Sequence, residues 1–229
     1  MWLLLSLAVA LLVAGCALAS ASPSPGETPS PAPLRYVALG DSYTIGTSVG
    51  ESDRWPNQLV ARLPDSTLDL VANLGVNGYT SDDVINRELP ALPGNRPEFV
   101  TVLIGVNDVV RRVPRDKYRA NVDHILDRLL AMLPANRIVV VSTPDYTLTP
   151  SGAAFGDPTQ QSAAIADFNE VERAAAAARG IAFVDISSVA RRVLGDKSLV
   201  ADDGLHPSGK QYSGWVELVT PVVERLLTP

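Results

Sequence analysis

From Arg35 onward, short apolar runs alternate with stretches of helical periodicity, and this alternation constrains the possible folds more than any other feature. Five runs are short enough for buried strands, at residues 36–39, 68–74, 99–104, 138–142 and 181–185. Helical patterns separate or follow them at residues 55–63, from about 81, and at 114–133, 159–179 and 208–227. The alternation predicts a mostly parallel sheet with helices on both faces. Pro221 is expected to kink or break the last helix.

Folds of this kind bind ligands beyond the carboxyl ends of the strands, where the polar motifs of this chain also fall. The sequence Gly-Asp-Ser-Tyr follows the first apolar run and places Ser42 at a strand end. Near the other end of the chain, Asp203 and His206 stand three residues apart. A nucleophilic serine needs a base within hydrogen-bond reach, and the base needs a carboxylate that fixes its tautomer. These three residues are candidates for those roles, although Asp203 is alternatively a turn former.

Two further motifs offer hydrogen-bond donors. Asn-Leu-Gly-Val-Asn-Gly at residues 73–78 follows the second run, and Gly-Val-Asn-Asp at 105–108 follows the third. A glycine lets a backbone N–H approach a substrate closely, and an asparagine amide is a neutral donor. With the Ser42 N–H, Gly75 and Asn107 are therefore candidate donors of an oxyanion hole. A strand-end glycine and an Asx turn are the alternatives, and Asp41 is expected to hold its loop.

Together these blocks, in this order and spacing, resemble the SGNH hydrolases, also called the GDSL-like esterase/lipase family, over about residues 36–227. The resemblance implies a flavodoxin-like three-layer α/β sandwich, with a five-stranded parallel sheet in the order 2-1-3-4-5. It implies Ser42 as nucleophile, His206 as base and Asp203 as the orienting acid. It also implies the Ser42 N–H, the Gly75 N–H and the Asn107 side chain as oxyanion donors.

The resemblance implies a serine esterase that hydrolyses carboxylic esters through an acyl-enzyme, with no cofactor and no metal. Tyr43 stands where the name-giving motif has leucine, and the absence of Gly-x-Ser-x-Gly argues against the larger α/β-hydrolase fold. Short-chain esters, lysophospholipids, thioesters and acetylated sugars all remain open as substrates. The alternatives are an acyltransferase using the same site and a non-catalytic binding lipoprotein. Binding alone would not require a base beside the serine.

Composition narrows the remaining function classes. The single cysteine, Cys16, excludes an internal disulfide and a cysteine-based metal site. His124 and His206 are the only histidines, which argues against zinc, and His124 is expected at the surface. The net charge is −6 and no long run of Lys or Arg occurs, so a nucleic-acid partner is not predicted.

The N-terminus has the pattern of an exported protein. Residues 2–14 are apolar apart from Ser6, too few for a membrane span of about 20 residues but typical of a secretory signal. Leu-Val-Ala-Gly-Cys at residues 12–16 resembles the lipobox of bacterial lipoproteins, which implies cleavage before a lipidated Cys16. Only Met1 precedes the apolar run, with no Lys or Arg, which departs from that pattern. An ordinary signal peptide is the alternative.

Proline and serine are frequent in residues 17–34, which are expected to form an extended linker. The predicted organisation is a signal peptide at 1–15, a linker at 16–34 and a hydrolase domain at 35–229. The enzyme would be exported, either anchored to the cell membrane or secreted. The long loop at residues 143–158 should line the mouth of the cleft, with Tyr146 or Phe155 as an apolar contact. A purely structural loop is the alternative there.

Overall fold

The computed structural model describes residues 32–65 and 67–228, so the predictions for the signal peptide and Cys16 lie outside the described residues. Five strands form one parallel sheet in the order β2-β1-β3-β4-β5, which confirms the predicted order. The strands are β1 (Leu34–Gly40), β2 (Leu68–Asn73), β3 (Phe99–Leu103), β4 (Ile138–Val141) and β5 (Ala182–Val184). β1 begins at Leu34, one residue before the predicted start of the domain.

Helices occupy the connections between strands and the C-terminal end of the described chain. They are α1 (Ser42–Ile45), α2 (Trp55–Arg62), α3 (Ser81–Asp83), α4 (Leu89–Asn95), α5 (Val106–Val110), α6 (Arg115–Leu130), α7 (Pro158–Ala178), α8 (Ser187–Ala190) and α9 (Gly209–Leu227). A π-helical turn, Val84–Glu88, joins α3 to α4, and short 3₁₀ turns lie at Glu51–Asp53, Ala135–Arg137, Tyr146–Leu148, Gly152–Phe155, Arg191–Leu194 and Lys197–Leu199.

The centre of the sheet forms the middle of the core. Every residue of β3 and β4 is buried, as expected for parallel strands that are covered on both faces. In the register of β1 with β3, Tyr36 lies opposite Phe99 and Gly40 lies opposite Leu103. The two strands therefore end level with each other, and this brings the segments after Gly40 and Leu103 to the same edge of the sheet.

The structure differs from the sequence predictions at three places. Pro221 lies inside α9 and does not end it. The carbonyl that a proline leaves without a partner there belongs to Glu217, which is exposed, so water can bind it. The helix predicted from Ser81 contains a π turn, and Pro90, the second residue after that turn, has no N–H to donate. The periodicity also missed α1 and α5, because helices of four and five residues carry too few positions to show a period.

Candidate active site

The nucleophile candidate lies at the start of α1, directly beyond the carboxyl end of β1. Asp41 is the N-cap residue of α1, and its Oδ1 accepts a hydrogen bond of 2.9 Å from the Tyr43 N–H. Asp41 is completely buried, and its cap bond is the kind of contact expected of a residue that holds this loop. The first N–H groups of a helix have no partner within the helix. The Ser42 N–H has none in the described part of the chain either.

The acid and base candidates make the contact that their spacing predicts. His206 Nδ1 lies 2.6 Å from Asp203 Oδ2. The other carboxylate oxygen, Oδ1, accepts from the N–H groups of Leu205 at 2.8 Å and His206 at 2.9 Å. Ser48 Oγ donates to Oδ2 at 2.6 Å. Partial burial acts to raise the pKa of Asp203, but these hydrogen bonds outweigh it and hold that pKa well below its ordinary value.

Ser42 and His206 line one cavity of about 230 Å³. The aromatic ring of Tyr43 lies beneath this site, with its centroid 5.1 Å from that of the His206 ring. Within residues 32–65 and 67–228, Ser42 Oγ has no hydrogen-bond partner, so no direct bond joins it to the His206 ring that lines the same cavity. Such contacts are often long before substrate binds.

Asn107 reaches the same cavity from the first turn of α5, beyond the carboxyl end of β3. Its Nδ2 donates to the carbonyl oxygen of Tyr79 at 2.9 Å and makes a longer contact of 3.4 Å to Asp41 Oδ2. The first bond fixes the amide plane. The second is weak enough to be exchanged for an acceptor in the cavity.

The structure does not bring Gly75 to the cavity, and this corrects the predicted set of oxyanion donors. The Gly75 N–H donates to Asn73 Oδ1 at 3.1 Å. A Cβ atom at this position would lie 2.8 Å from the Asp41 carbonyl oxygen and 2.9 Å from the Ile45 nitrogen. Residue 75 is therefore a glycine because the loop after β2 passes against the backbone of α1, and its N–H is already used.

Gly78, the second glycine of the same motif, lines the cavity instead. Its φ of 82° lies in the left-handed region that glycine adopts readily. In the described chain its N–H has no hydrogen-bond partner, while its carbonyl accepts from Arg111 at 2.7 Å. The sequence did carry a signal for this residue, because an Asn-Gly pair is typical of a turn with positive φ. The sequence prediction named the other glycine.

The remaining walls of the cavity are apolar. α5 contributes Val106 and Val110, and Leu205 precedes the candidate base. The loop after β4 adds Tyr146 and Phe155, whose ring centroids are 6.0 Å apart in an edge-to-face arrangement. The prediction that this loop lines the mouth of the cleft is thus confirmed. Phe155 is 41% exposed, so it lies at the rim.

Several carboxyl groups are buried in and around the segment that precedes the serine, and the sequence did not indicate them as a group. Burial raises the pKa of Asp41 to about 7, with a further contribution from the charge of Asp108. Burial likewise raises the pKa of Asp108 to about 6, against two hydrogen bonds from Ser81. Glu88 accepts from the Gly40 N–H at 2.9 Å, and burial raises its pKa to about 9. At neutral pH Glu88 is therefore a neutral acid.

Within 32–65 and 67–228, no three His, Cys, Asp or Glu side chains converge to hold a metal ion. Over that range, no helix combines the length and apolarity that crossing a membrane requires. His124 is exposed on α6, as predicted.

Comparison with known proteins agrees with this geometry. Residues 38–213 match the GDSL-like Lipase/Acylhydrolase family. No curated protein is significantly similar in sequence.

Similar solved structures include LAE5, an alpha/beta hydrolase enzyme from the metagenome of Lake Arreo, Spain, which is 21% identical with a TM-score of 0.66 over 86% of this chain and 98% of LAE5. The acetylxylan esterase Axe2 from Geobacillus stearothermophilus is 20% identical with a TM-score of 0.66, over 85% of this chain and 95% of Axe2. TesA is 24% identical with a TM-score of 0.65, over 84% of this chain and 99% of TesA. The family match covers most of the chain, and the chain belongs to the GDSL-like lipase/acylhydrolase family as a carboxylic ester hydrolase of the SGNH type.

Proposed function

We propose that Ser42, His206 and Asp203 hydrolyse a carboxylic ester through an acyl-enzyme. The observation that carries this proposal is the 2.6 Å contact between Asp203 Oδ2 and His206 Nδ1, made while the His206 ring and Ser42 line one cavity. With Nδ1 bonded to the carboxylate, Nε2 is the nitrogen left to accept the serine proton. Two of the Axe2 structures are described as catalytic mutants, one with a serine replaced and one with an aspartate replaced.

The reaction has two halves. In the first, Nε2 of His206 takes the proton of Ser42 Oγ as that oxygen attacks the ester carbonyl. The tetrahedral intermediate expels the alcohol, which receives the proton from Nε2. In the second, water loses a proton to Nε2 and attacks the acyl-enzyme, and Ser42 Oγ leaves with that proton as the carboxylic acid is released.

Three donors are suited to the negative oxygen of the intermediate. The N–H groups of Ser42 and Gly78 have no partner in the described chain and belong to residues that line the cavity. The Asn107 amide lies on the same cavity and can exchange its 3.4 Å contact to Asp41 for the substrate oxygen. Donors fixed in advance stabilise the developing charge without reorganisation. Gly78 thus takes the role that the sequence prediction gave to Gly75.

The size and chemistry of the cavity favour a short ester. Its volume of about 230 Å³ is below the range of roughly 300–1,000 Å³ for pockets that hold drug-sized ligands. Its walls are mainly apolar, which suits a short acyl chain better than a charged group. Acetyl esters are the first class to test, since Axe2 is an acetylxylan esterase with the same fold. A lysophospholipid chain would extend far beyond this volume.

Export belongs to the same proposal. Residues 12–16 have a lipobox-like sequence, and a lipidated Cys16 followed by the Ser/Pro-rich linker would hold the hydrolase domain at a membrane surface. In a bacterial host the full-length protein should partition with membranes, and Cys16→Ser should release it. Mass spectrometry of the mature N-terminus decides the question. An unmodified N-terminus downstream of Cys16 would show a freely secreted enzyme and overturn the anchor.

Replacement of the serine tests the catalytic proposal. Ser42→Ala should lower the rate of p-nitrophenyl acetate hydrolysis by about 10⁴-fold or more. A serine-reactive phosphonate should label the wild-type protein at Ser42. Ser198→Ala is the matched control, because Ser198 bonds Asp196 outside the cavity. A panel from acetyl to decanoyl esters should show the highest kcat/KM at the short end. Substantial hydrolysis by Ser42→Ala would exclude the triad.

A further inference from the structure

A second serine, outside every motif considered above, contacts the candidate catalytic acid. Ser48 lies 155 positions before Asp203 in the chain, and its Oγ donates a 2.6 Å hydrogen bond to Asp203 Oδ2. The same oxygen faces His206 Nδ1, also at 2.6 Å. One carboxylate oxygen thus joins the imidazole ring to a hydroxyl group that comes from the nucleophile's end of the chain.

The backbone at Ser48 is unusual in a way that favours a specific role. Its φ is 67°, in the left-handed region where a residue with a Cβ atom is disfavoured. Ser48 lies in the loop that follows α1, two residues after Gly46 ends that helix, and the loop is tied down where Thr47 Oγ1 donates to Asn77 at 2.6 Å. A non-glycine residue persists in such a conformation where its surroundings hold it there.

The hydrogen bonds of Asp203 show what Ser48 adds. Oδ1 is held by two backbone N–H groups of its own turn. Without Ser48, the His206 ring would be the one hydrogen-bond partner of Oδ2 in the described chain. The Asp203 side chain is 30% exposed to water. Because Oδ1 is fixed, a second fixed bond at Oδ2 sets the plane of the carboxylate. That plane determines whether Oδ2 of Asp203 lies in line with the N–H of His206 Nδ1.

We infer that Ser48 is a positioning residue, which orients the Asp203 carboxylate so that it holds His206 in the tautomer and ring orientation needed by Ser42. The inference rests on the proposed function. It extends the Ser42–His206–Asp203 arrangement by a fourth member, which links the loop after the nucleophile to the segment that carries the base. Ser48 does not contact the reacting atoms.

Two substitutions separate the hydroxyl group from the backbone conformation. Ser48→Gly removes the hydroxyl but adopts positive φ without strain, so kcat should fall about 10-fold, the size expected for one lost hydrogen bond to a charged group. KM should change little and the melting temperature should hold or rise. Ser48→Thr keeps a hydroxyl but is β-branched, so it should keep most of kcat and melt at a lower temperature. A merely structural residue would lose kcat and stability together.

A spectroscopic measurement completes the test. The proton between His206 Nδ1 and Asp203 should give a far-downfield ¹H NMR signal in the wild type, and in Ser48→Gly this signal should broaden through faster exchange with water. The matched control is Ser198→Ala, which removes a 2.6 Å bond from an exposed serine to Asp196, away from the cavity, and should leave kcat and the signal unchanged.

The outcomes distinguish this inference from the proposed function. Wild-type kcat with an unchanged signal in Ser48→Gly overturns the inference, and so does a loss of kcat that only follows a loss of stability. Hydrolysis that survives in Ser42→Ala overturns the proposed function instead. In that case the NMR comparison, repeated in the Ser42→Ala background, still decides whether Ser48 orders the Asp203–His206 pair.

Discussion

Two aspartates near the candidate nucleophile have opposite environments. Asp41, one residue before Ser42, is completely buried, and burial raises its pKa to about 7. Asp203 lies on a surface segment with its side chain 30% exposed. Its carboxylate faces four donors, from Ser48, the His206 ring, and the N–H groups of Leu205 and His206. Those bonds outweigh the effect of its partial burial and hold its pKa below the ordinary value.

The contrast shows that the number of donors and the access of water decide what a carboxyl group can do. Asp41 has one close donor, the Tyr43 N–H, and serves as a helix cap. Asp203 remains an ion across the whole range in which an imidazole titrates, so it can orient the base and stabilise its positive form. The segment around Ser42 is thus held by a buried carboxyl group, and the segment around His206 by a partly exposed carboxylate that accepts four hydrogen bonds.

The largest effect on kcat is expected at Asp203, the more exposed of the two aspartates. Asp203→Asn should lower kcat by about 10⁴-fold, as in other triads whose acid is replaced by its amide, because the amide can leave the base in the wrong tautomer. Steady-state kinetics with p-nitrophenyl acetate measures it. Asp202→Asn is the matched control on the adjacent exposed aspartate and should leave kcat unchanged. A loss of kcat of less than tenfold in Asp203→Asn would contradict the role proposed for Asp203.

Asn107, which contacts the buried Asp41, is expected to stabilise the negative charge of the intermediate and to take no part in proton transfer. Asn107→Ala should lower kcat by about 10²–10³-fold with little change in KM, because the amide bonds the oxygen most strongly as negative charge develops. The midpoint of the pH profile should stay in place, since the base is untouched. Asn86→Ala is the control, because Asn86 is an exposed residue of the π turn. A raised KM with unchanged kcat would show that Asn107 binds the ground state only.

Asp41→Asn should have a much smaller effect than Asp203→Asn, although both make the same chemical change. Asparagine caps a helix about as well as aspartate, so we expect kcat to stay within about tenfold and the melting temperature to change little. The two variants should be measured side by side with the same ester. Equal losses of kcat would show that the charge of Asp41 takes part in catalysis, against the assignment made from its burial.

The last pair of predictions concerns stability and not turnover. The pKa of Glu88 rises from 4.5 to about 9 on folding, so the folded state holds its proton more tightly than the unfolded state. Its stabilising contribution is therefore fully present below pH 4.5 and is lost as the pH rises towards 9. Glu88→Gln removes this titration. In urea unfolding, the stability of the variant relative to the wild type should therefore rise between pH 5 and 9.

Asp203 supplies the matched test of opposite sign. Its pKa is lowered on folding, so its contribution is present above the ordinary value of 3.8 and is lost as the pH falls below it. Asp203→Asn should therefore be less stable than the wild type to urea at pH 7, and the difference in stability should shrink as the pH drops. Parallel pH trends for the Glu88 and Asp203 variants would contradict the contrast drawn here.

Features that depend on local pattern could be predicted from the amino-acid sequence. The five apolar runs correspond to the five strands, because a buried parallel strand needs a short continuous apolar segment. The contact between Asp203 and His206 also followed from the sequence, because three positions within one turn cannot lie far apart. The order of the strands followed from the family resemblance, which the family match over residues 38–213 supports.

Features that depend on which distant segments meet became visible in the folded chain and not in the sequence. Gly75 and Gly78 belong to the same sequence motif, and the Asn-Gly pair indicates only a turn at the second. The structure shows that Gly75 packs against α1 with its N–H already donated, whereas Gly78 lines the cavity. Ser48 meets Asp203 across 155 positions, and no local pattern encodes that contact. Glu88 is placed like an ordinary helix residue, yet the fold buries it against the Gly40 N–H. Local periodicity specifies elements, whereas burial and hydrogen-bond partners are set by the packing of those elements against one another.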